Sequence, residues 1–448
     1  MTISSKKEAL LLFIGDLFFF IFSLWLTLLL RYGEINIETF SNHIYPFSIL
    51  FIVWFLVFFI AGLYEKHTLI LKSRLPTIIL NAQIVNSVLA VLFFYFIPYF
   101  GITPKTNLFI YLIISFALIL VWRIYGQNLF GFRKKENAII IGSGDEMREL
   151  RDEVNNNTRY NLHFISSIDL DNAENLDFQD EILNRIYSEN VHVIAADLRS
   201  EKVEPVLPHL YNLIFSRIRF IDMHKIYEDI FDRVPLSLLK YSWFLENIST
   251  TPKFTYDFLK RLMDIILACV LGVISLLVYP FVFVAIKLDD GGPMIFSQER
   301  VGKNNQPVRI FKFRTMTMND AGREELKANN RGTRVGNFLR KTRIDELPQL
   351  WNVLMGNISL IGPRPELPTL AKLYEEKIPY YNVRHLITPG LSGWAQIYHE
   401  NPPKRDANYD ETKVKLSYDL YYIKNRSFML DIKIALRTLK TFLSRSGR

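Results

Sequence analysis

Two adjacent carboxylates, Asp345 and Glu346, lie in the stretch of this sequence whose residue types could do chemistry. The stretch covers residues 338–366 and reads FLRKTRIDELPQLWNVLMGNISLIGPRPE. Basic residues and a rigid tripeptide flank the two acids, namely Arg340, Arg343 and Pro363-Arg364-Pro365. A carboxylate can attack phosphorus as a nucleophile, and arginine binds phosphate in a bidentate way. These residue types therefore favour phosphoryl chemistry.

A helix is predicted to position the two acids. Apolar residues around them recur at helical spacing, namely Ile344, Leu347, Leu350, Trp351, Leu354 and Ile358. Pro348 is tolerated only in the first turn of a helix, which puts Asp345 near the N-cap, and Gly356 is a natural terminator. Both acids would then lie at the positive end of the helix dipole. Taken alone, such a pair is more often a solvated helix start with ion pairs, so other motifs must decide.

The composition indicates a membrane protein with affinity for anionic partners. The chain has 448 residues, room for two or three domains, and 50% of them are hydrophobic. The 53 Lys and Arg residues exceed the 45 Asp and Glu residues, for a net charge of +8. This excess suits anionic lipid or phosphorylated substrates, with nucleic acid as the rival interpretation. Cys269 is the only cysteine, which excludes an intrachain disulfide.

Four apolar runs predict an N-terminal bundle of membrane-spanning helices. They cover residues 9–30, 45–63, 78–100 and 108–122, each near the roughly 20 residues that a crossing needs. Basic residues lie between the second and third runs and after the fourth, namely Lys66, His67, Lys72, Arg74, Arg123, Arg133, Lys134 and Lys135. By the positive-inside rule both ends of the bundle face the cytoplasm.

Asp16 lies inside the first apolar run, where a carboxylate is costly. The simpler interpretation is that it faces the bundle interior and pairs with a polar neighbour, such as Asn81, Gln83 or Asn86. A functional role for Asp16 is the alternative.

From residue 137 onward, short β-type runs alternate with helical ones, which predicts a parallel, Rossmann-like α/β module. Its first turn begins Gly142-Ser143-Gly144, but Met147 replaces the third glycine of a dinucleotide fingerprint. Asp169 could bind a ribose, yet a strand-ending aspartate is common. A docking or regulatory module is therefore favoured over a cofactor site.

Residues 262–286 form a further apolar run that is long enough to cross a bilayer. Pro280 interrupts it, both flanks are basic, and a crossing would separate Asp345 from cytoplasmic nucleotides. We therefore predict a helix–break–helix that enters one leaflet and returns, with Ser275 as the nearest side chain to support the broken backbone. The alternative is an ordinary fifth span with a proline kink.

Several motifs in order resemble the bacterial sugar transferase family. They are KRLMDIILACVLGVISLLVYPFVFVAIKLDDGGPMIFSQERVG, RIFKFRTM, the 338–366 stretch and PGLSGWAQ, within residues 253–448. The family contains polyprenyl-phosphate hexose-1-phosphate transferases, which begin exopolysaccharide, capsule and O-antigen assembly. The four-span bundle and the α/β module resemble the long form of the family, which includes undecaprenyl-phosphate glucose and galactose phosphotransferases.

The resemblance implies roles for particular residues. Asp345 would be the nucleophile of an Asp-Glu dyad, and Glu346 would manage a metal or a proton, with Mg²⁺ held by both. Phosphate-binding residues would be Arg340, Arg343, Pro363, Arg364, Pro365, Lys312 and Arg314. Tyr279 stands where the family often has serine before the re-entrant Pro280. The reaction would pass hexose 1-phosphate from a UDP-hexose to undecaprenyl phosphate through a covalent sugar-phosphoryl-Asp345, with release of UMP.

The expected architecture is a mixed membrane protein of three domains. Residues 1–130 would form the four-span bundle, residues 131–252 the Rossmann-like cytoplasmic module, and residues 253–448 a C-terminal α/β catalytic domain with the re-entrant helix. We expect this phosphoglycosyl transferase in the bacterial inner membrane, with its catalytic domain on the cytoplasmic face. Membrane lipids are expected partners, nucleic acid is not, and a homo-oligomer is compatible with the sequence.

Two other functions stay open. Tyr256 and Lys260 form a YxxxK motif after the α/β module, as in a membrane-anchored, NAD-dependent nucleotide-sugar dehydratase or epimerase. A non-enzymatic scaffold for polysaccharide export is the second alternative.

The C-terminal stretch 428–443 is cationic and amphipathic, which predicts a helix on the membrane surface. The same pattern also describes a helix packed on the catalytic domain, so both placements stay open.

Overall fold

The chain divides into two compact units, Met1–Ile230 and Phe231–Arg448. Leu239 and Trp243 precede the predicted boundary at 252, and both are buried in the core of the second unit. The predicted domain boundaries at 130 and 252 stay predictions. The computed structural model describes residues 6–34, 36–64, 75–97, 105–129, 135–157, 160–171, 186, 188–198, 200–204, 207–216, 218–248, 251, 253–317, 332–398 and 408–443.

Four N-terminal helices are long and apolar enough to span a membrane. They are α1 (Lys6–Tyr32), α2 (Ile37–Ile60), α3 (Leu75–Phe96) and α4 (Lys105–Leu129). Aromatic rings fill the space between them: the ring of Trp54 lies 5.5 Å from that of Phe20 and 5.1 Å from that of Tyr111. The prediction of four apolar N-terminal helices is therefore confirmed.

Asp16 of α1 is fully buried and paired, but its predicted partners were wrong. Arg123 donates from Nε to Oδ1 at 3.1 Å and from Nη2 to Oδ2, and the Tyr64 hydroxyl donates to Oδ2 at 2.7 Å. Helix α4 continues past the predicted end of the fourth run, which places Arg123 inside the bundle. The predicted partners were Asn81, which is exposed, and Gln83 and Asn86, which bond to each other.

The positive-inside argument used several residues that the structure does not describe. Lys66, His67, Lys72, Arg74, Arg133 and Lys134 lie outside the described residues.

A four-stranded parallel sheet follows the bundle, in the order β2-β1-β3-β4. Its strands are β1 (Glu136–Gly142), β2 (Leu162–Asp169), β3 (Val191–Ala196) and β4 (Arg219–Asp222), and its helices include α5 (Asp145–Asn156), α6 (Leu207–Asn212) and α7 (Met223–Phe231). β1 is a near-continuous apolar run because it lies between two strands. Its last residue, Gly142, leaves room for Met223, whose Sδ would lie 3.2 Å from an added Cβ.

The second unit combines two small sheets with helices. β5 (Ile295–Val301) and β6 (Pro307–Phe313) are antiparallel, and β7 (Ser359–Ile361) and β8 (Gly390–Ser392) are parallel. The helices are α8 (Tyr241–Asn247), α9 (Phe254–Leu276), α10 (Tyr279–Asp289), α11 (Arg334–Thr342), α12 (Gln349–Leu354), α13 (Pro368–Lys377), α14 (Trp394–Tyr398), α15 (Tyr409–Asn425) and α16 (Phe428–Leu443).

Helices α9 and α10 are apolar and meet at a bend of 54°. Pro280 lies in the first turn of α10, where its missing N–H breaks no helical hydrogen bond. The Ser275 hydroxyl donates at 2.7 Å to the carbonyl of Gly272, within α9. It therefore does not satisfy a carbonyl freed at the break, which was its predicted role.

Helix α16 packs on the rest of the second unit. This is the second of the two placements that its amphipathic pattern left open. Asp431 and Ile434 are fully buried on its inner face. The Thr438 and Ser392 hydroxyls are 2.6 Å apart, which ties α16 to β8. Leu439 stays 46% exposed on the other side of the helix.

Candidate active site

A tight turn, rather than the N-cap of a helix, carries the two acids. α11 ends at Thr342, and its C-cap Arg343, in the left-handed conformation (φ 59°), precedes a 3₁₀ turn over Ile344–Glu346. Pro348 then lies at the N-cap position of α12, where its missing N–H breaks no helical hydrogen bond, and Gly356 (φ 80°) follows the end of that helix. Asp345 is therefore inside the 3₁₀ turn, one residue into it.

The helix after the acids is also shorter than its apolar spacing predicted. α12 has six residues, so Ile358 lies beyond it, next to β7. Trp351 is 45% exposed, although the pattern assigned it to the buried face. Leu350 is buried as the pattern required, and Val353, which the pattern did not include, is buried as well; both face a cluster that includes Ile310 of β6.

Three cationic side chains surround the carboxylate of Glu346. Its Oε1 lies 2.8 Å from Nη2 of Arg364, 3.3 Å from Nζ of Lys312 and 3.8 Å from Nη1 of Arg343. Burial works to raise the pKa of Glu346, but the charges of Arg364, Lys312 and Arg343 outweigh it and bring the pKa to about 2. Glu346 is therefore ionised at neutral pH.

Asp345 has the opposite character. Its side chain is only 6% exposed, and Oδ1 has no hydrogen-bond partner among the residues that the structure describes. Burial raises the pKa of Asp345, against the nearby charge of Lys312, and the Glu346 carboxylate raises it further. Asp345 is thus a buried carboxyl group with one oxygen left for a ligand.

Strand β6 and helix α12 are fixed to each other by Asn352, which is fully buried. Its Oδ1 accepts from the backbone N of Phe311 at 2.9 Å, and its Nδ2 donates to the carbonyl of Arg309 at 2.7 Å. Because Lys312 follows Phe311 on the strand, this link holds the lysine next to the acids. Burial lowers the pKa of Lys312, while Glu346 works to raise it.

A buried charged network holds the loop that carries Arg364. Arg384 donates from Nη2 to the backbone carbonyl of Arg364 at 2.9 Å and from Nε to Asp419 at 3.0 Å. Lys415 donates to Glu366, two residues after Arg364. Sequence reasoning missed these residues, although Lys415 and Asp419 are four apart on the buried face of α15 and interrupt its apolar pattern.

Charged residues of α9 hold the other side of the site. Arg261 donates to the carbonyls of Val353 and Leu354, each at 2.7 Å, at the end of α12. Asp264 accepts from the backbone N of Leu360 at 3.0 Å, in β7. The apolar helix α9 therefore positions both the helix after the acids and the strand before Pro363-Arg364-Pro365.

Both side chains of the YxxxK motif make structural hydrogen bonds. The Tyr256 hydroxyl and Lys260 Nζ both donate to Oδ2 of Asp431, at 3.0 and 3.1 Å. Lys260 also donates to the carbonyl of Ile361 at 2.9 Å. These bonds join α9, α16 and β7, which argues against a dehydratase or epimerase site.

Two predicted phosphate-binding residues point elsewhere in the structure. Arg314 donates to Asp290 at 2.8 Å and to the carbonyl of Thr317 at 2.7 Å. Arg340 donates to the carbonyl of Thr315 at 3.1 Å. The structure thus brings Lys312, Arg343 and Arg364 to Glu346. The contacts of Arg314 and Arg340 are with other groups, and their roles in phosphate binding stay predictions.

The two acids fit the way in which proteins usually hold magnesium. In the described part of the chain, no group of three or more His, Cys, Asp or Glu side chains could hold a metal. Mg²⁺ is usually bound by one or two carboxylates together with water and substrate phosphates. Asp345, with its unpaired oxygen, and the ionised Glu346 provide that smaller set.

Comparison with known proteins identifies the family. The family model described as "Bacterial sugar transferase" matches residues 255–445. The "Exopolysaccharide production protein PSS" of Rhizobium leguminosarum bv. phaseoli is 39% identical over 173 residues, which cover 37% of this chain and 85% of that protein. The chain belongs to the bacterial sugar transferase family.

Two further relatives of this sugar transferase are longer than the Rhizobium protein. The "UDP-N-acetylgalactosamine-undecaprenyl-phosphate N-acetylgalactosaminephosphotransferase" of Aeromonas hydrophila is 44% identical over 202 residues, covering 44% of this chain and 47% of the relative. The "Undecaprenyl-phosphate glucose phosphotransferase" of Komagataeibacter xylinus is 29% identical over 366 residues, covering 76% of this chain and 66% of the relative. The match to the first relative spans about half of its length. The second match includes much of the sugar transferase's N-terminal unit.

Proposed function

We propose that this sugar transferase moves hexose 1-phosphate from a UDP-hexose to undecaprenyl phosphate, releases UMP and begins the assembly of a bacterial polysaccharide. The names of the two longer relatives describe transfer of this kind to undecaprenyl phosphate. The observation that carries the proposal is the dyad itself: a buried carboxyl with an unpaired oxygen beside a carboxylate surrounded by cations.

The proposed chemistry has two displacements at one phosphorus. In the first, the Asp345 carboxylate attacks the sugar-bearing phosphorus of the UDP-hexose, a bond from Asp345 to phosphorus forms, and the bond to the oxygen of UMP breaks. In the second, an oxygen of undecaprenyl phosphate attacks the same phosphorus and displaces Asp345. Each step exchanges one phosphorus–oxygen bond for another, so no oxidant or reductant is needed.

The main obstacle to the reaction is that both reactants are anionic and repel each other. The cationic side chains can reduce this repulsion. Arg364 and Lys312, now paired with Glu346, lie where they can also contact phosphate oxygens near Asp345. Magnesium, held by Asp345 and Glu346, would neutralise pyrophosphate oxygens when bound. Glu346 stays ionised because of its low pKa, which suits a metal ligand better than a proton donor.

We propose that α9 and α10 enter one leaflet and return. The support is that both ends of this bent pair contact the same compact unit. Near the start, Lys260 bonds to Ile361, and at the end Asp289 accepts from the backbone N of Val335 at 2.9 Å. Exposed apolar residues cover the region between, including Val273, Leu277 and Phe281. A helix that crossed the membrane would carry these two ends to opposite sides.

This topology can be tested with single cysteines in a Cys269→Ser background. Asp145 and Asp410 are almost fully exposed, so a cysteine at either position can react with thiol reagents. If both positions face the cytoplasm of the inner membrane, only membrane-permeant reagents will block them in intact cells. Labelling of the Asp410 position by an impermeant reagent would contradict re-entry.

The parallel sheet of the N-terminal unit is proposed to be a Rossmann-like docking or regulatory module. The support is that Met147 stands at the third fingerprint position, where glycine would allow close packing of helix on strand, and that its Sδ and that of Met223 fill the space next to Gly142. The test is the purified protein itself: bound NAD, released on denaturation and detected by its absorbance, would contradict this assignment.

The reaction is tested by offering a panel of UDP-sugars to the purified full-length protein with undecaprenyl phosphate and Mg²⁺. We expect UMP release and a lipid-linked sugar with at least one member of the panel, and loss of both on removal of the metal by a chelator. Absence of UMP with every sugar would contradict the proposal. The panel also identifies the sugar, which the dyad does not select.

A further inference from the structure

In the described part of the second unit, Phe231–Arg448, which carries the dyad and is called the catalytic unit from here on, buried polar side chains are mostly paired. The exceptions near the dyad are informative. Asn352, Arg384 and Asp419 each bond to well-defined partners. In contrast, among the described residues the Gln349 Nε2 and the Tyr279 hydroxyl are buried atoms without a hydrogen-bond partner, like Oδ1 of Asp345. A buried donor that is left unpaired is unfavourable and rare, so a ligand that pairs it is the natural explanation.

Gln349 is the first residue of α12 and follows Asp345 by about one turn. Its side chain is only 5% exposed, so solvent does not satisfy its amide. Helix α12 is fixed to β6 by Asn352, which places Gln349 on the same rigid support as the dyad. An amide donor in this position can bind an oxygen of a phosphoryl group that approaches Asp345.

Tyr279 lies at the bend between α9 and α10. Its ring packs edge-on against Phe313, with the centroids 4.9 Å apart, and Phe313 follows Lys312 on β6. The same apolar cluster includes Ile344 and Leu347, which flank the two acids in sequence. The ring thus packs on β6 next to Lys312, and its hydroxyl has no hydrogen-bond partner among the residues that the structure describes.

We infer that Gln349 and Tyr279 are phosphate-binding residues, each with a buried donor that no described residue pairs and that can bind an oxygen of the substrate. This inference rests on the proposed function. The oxygen belongs either to the pyrophosphate of the UDP-sugar or to the phosphate of the lipid, and the two half-reactions distinguish these sources.

The test uses two variants of the full-length chain, Gln349→Met and Tyr279→Phe, which remove the donors and keep most of the volume. Asn352→Leu is the matched control, because its amide is fully paired within the protein. Melting temperature is measured for each, together with UMP release before lipid is added and sugar transfer after it is added.

We expect the first two variants to melt at the wild-type temperature or above, because an unpaired buried donor has been removed. We expect roughly 10- to 100-fold slower reaction, as for a lost hydrogen bond to a charged group. Slower UMP release assigns the residue to the UDP-sugar, and slower transfer with normal UMP release assigns it to the lipid phosphate. The control should lose melting temperature.

Each residue is judged by its own variant. A lower melting temperature with wild-type activity per folded molecule would overturn the inference, as would no change in either quantity. Calorimetric binding of UDP and of undecaprenyl phosphate in nanodiscs provides a readout that needs no turnover. If wild-type protein releases no UMP but binds these probes more tightly than the variants, the proposed reaction fails while the inference stands.

Discussion

Two buried carboxylates, Asp16 in the membrane bundle and Asp345 in the catalytic unit, have opposite surroundings. Both oxygens of Asp16 accept hydrogen bonds, from Arg123 and from Tyr64, and Arg123 also donates to the carbonyl of Leu63 at 2.6 Å. Asp345 is nearly as buried, yet its Oδ1 lacks a partner among the described residues. The cations near Asp345 are bonded to Glu346 instead.

The difference separates a structural charge from a reactive one. A buried ion pair with every polar atom satisfied joins helices, and breaking it leaves an uncompensated charge. A buried carboxyl with a free oxygen is held at some cost in stability, and it can gain by binding a ligand. Substitution of Asp16 or its partner should therefore affect folding, and substitution of Asp345 should affect chemistry.

The largest expected effect is that of Asp345→Asn. The amide cannot attack phosphorus, so we expect sugar transfer to fall by at least about 10³-fold, as for other nucleophiles. The melting temperature should stay at the wild-type value or rise, because a buried charge is removed. The comparison fails if Asp345→Asn lowers stability and retains most of its activity.

Arg123→Met should have the next largest effect, on stability rather than on chemistry. It leaves Asp16 buried without its cation, which costs about 3–5 kcal/mol for a buried pair broken on one side. Thermal unfolding in detergent measures this loss. The double variant Asp16→Leu/Arg123→Met should recover much of it, whereas an equally unstable double variant would show that the pair itself is not the cause.

Arg364→Met tests the cations of the catalytic site. We expect transfer to slow by roughly 10- to 100-fold, because a charge-assisted contact to phosphate and the closest partner of Glu346 are lost together. Arg364→Lys keeps the charge without the planar donor pair, so its activity should lie between those of wild type and Arg364→Met. Wild-type activity of Arg364→Lys would argue that bidentate contact is unimportant here, and equal loss in the two variants would argue that the charge alone does not suffice.

The pH dependence of UMP release gives the smallest and most diagnostic effect. Burial raises the pKa of Asp345 above its usual 3.8, and the nucleophile must be ionised, so the rate should fall as pH falls through this raised pKa. Glu346, with a pKa of about 2, remains charged throughout that fall. Glu346→Gln removes an anion that raises the pKa of Asp345, so the acidic limb should move to lower pH. A move to higher pH would contradict the assigned coupling.

Sequence patterns predicted the features that depend on local rules. The four apolar helices follow from run length, and the break follows from Pro280. The end of the helix after the acids follows from Gly356, which takes a positive φ. The cluster of Arg343, Arg364 and Lys312 around Glu346 matches residues that the family motifs singled out, although their roles remain to be tested.

The missed features depend on contacts between distant parts of the chain. Arg123 pairs with Asp16, 107 positions away in the sequence. Arg384 bonds to Asp419 of α15 and to the carbonyl of Arg364, which lie in two different parts of the chain. No spacing rule reports such pairs. The apolar pattern also overextended α12, because Ile358 is buried for a different reason, next to β7.

The most direct test of the central claim is mass spectrometry of the enzyme after it has been mixed with Mg²⁺ and its cognate UDP-sugar in the absence of lipid. The account predicts a hexose-phosphate adduct on the peptide that contains Asp345, with up to one UMP released per active site, and loss of the adduct when undecaprenyl phosphate is added. An enzyme that transfers sugar efficiently, shows no adduct and gives intersecting rather than parallel initial-rate lines would contradict it.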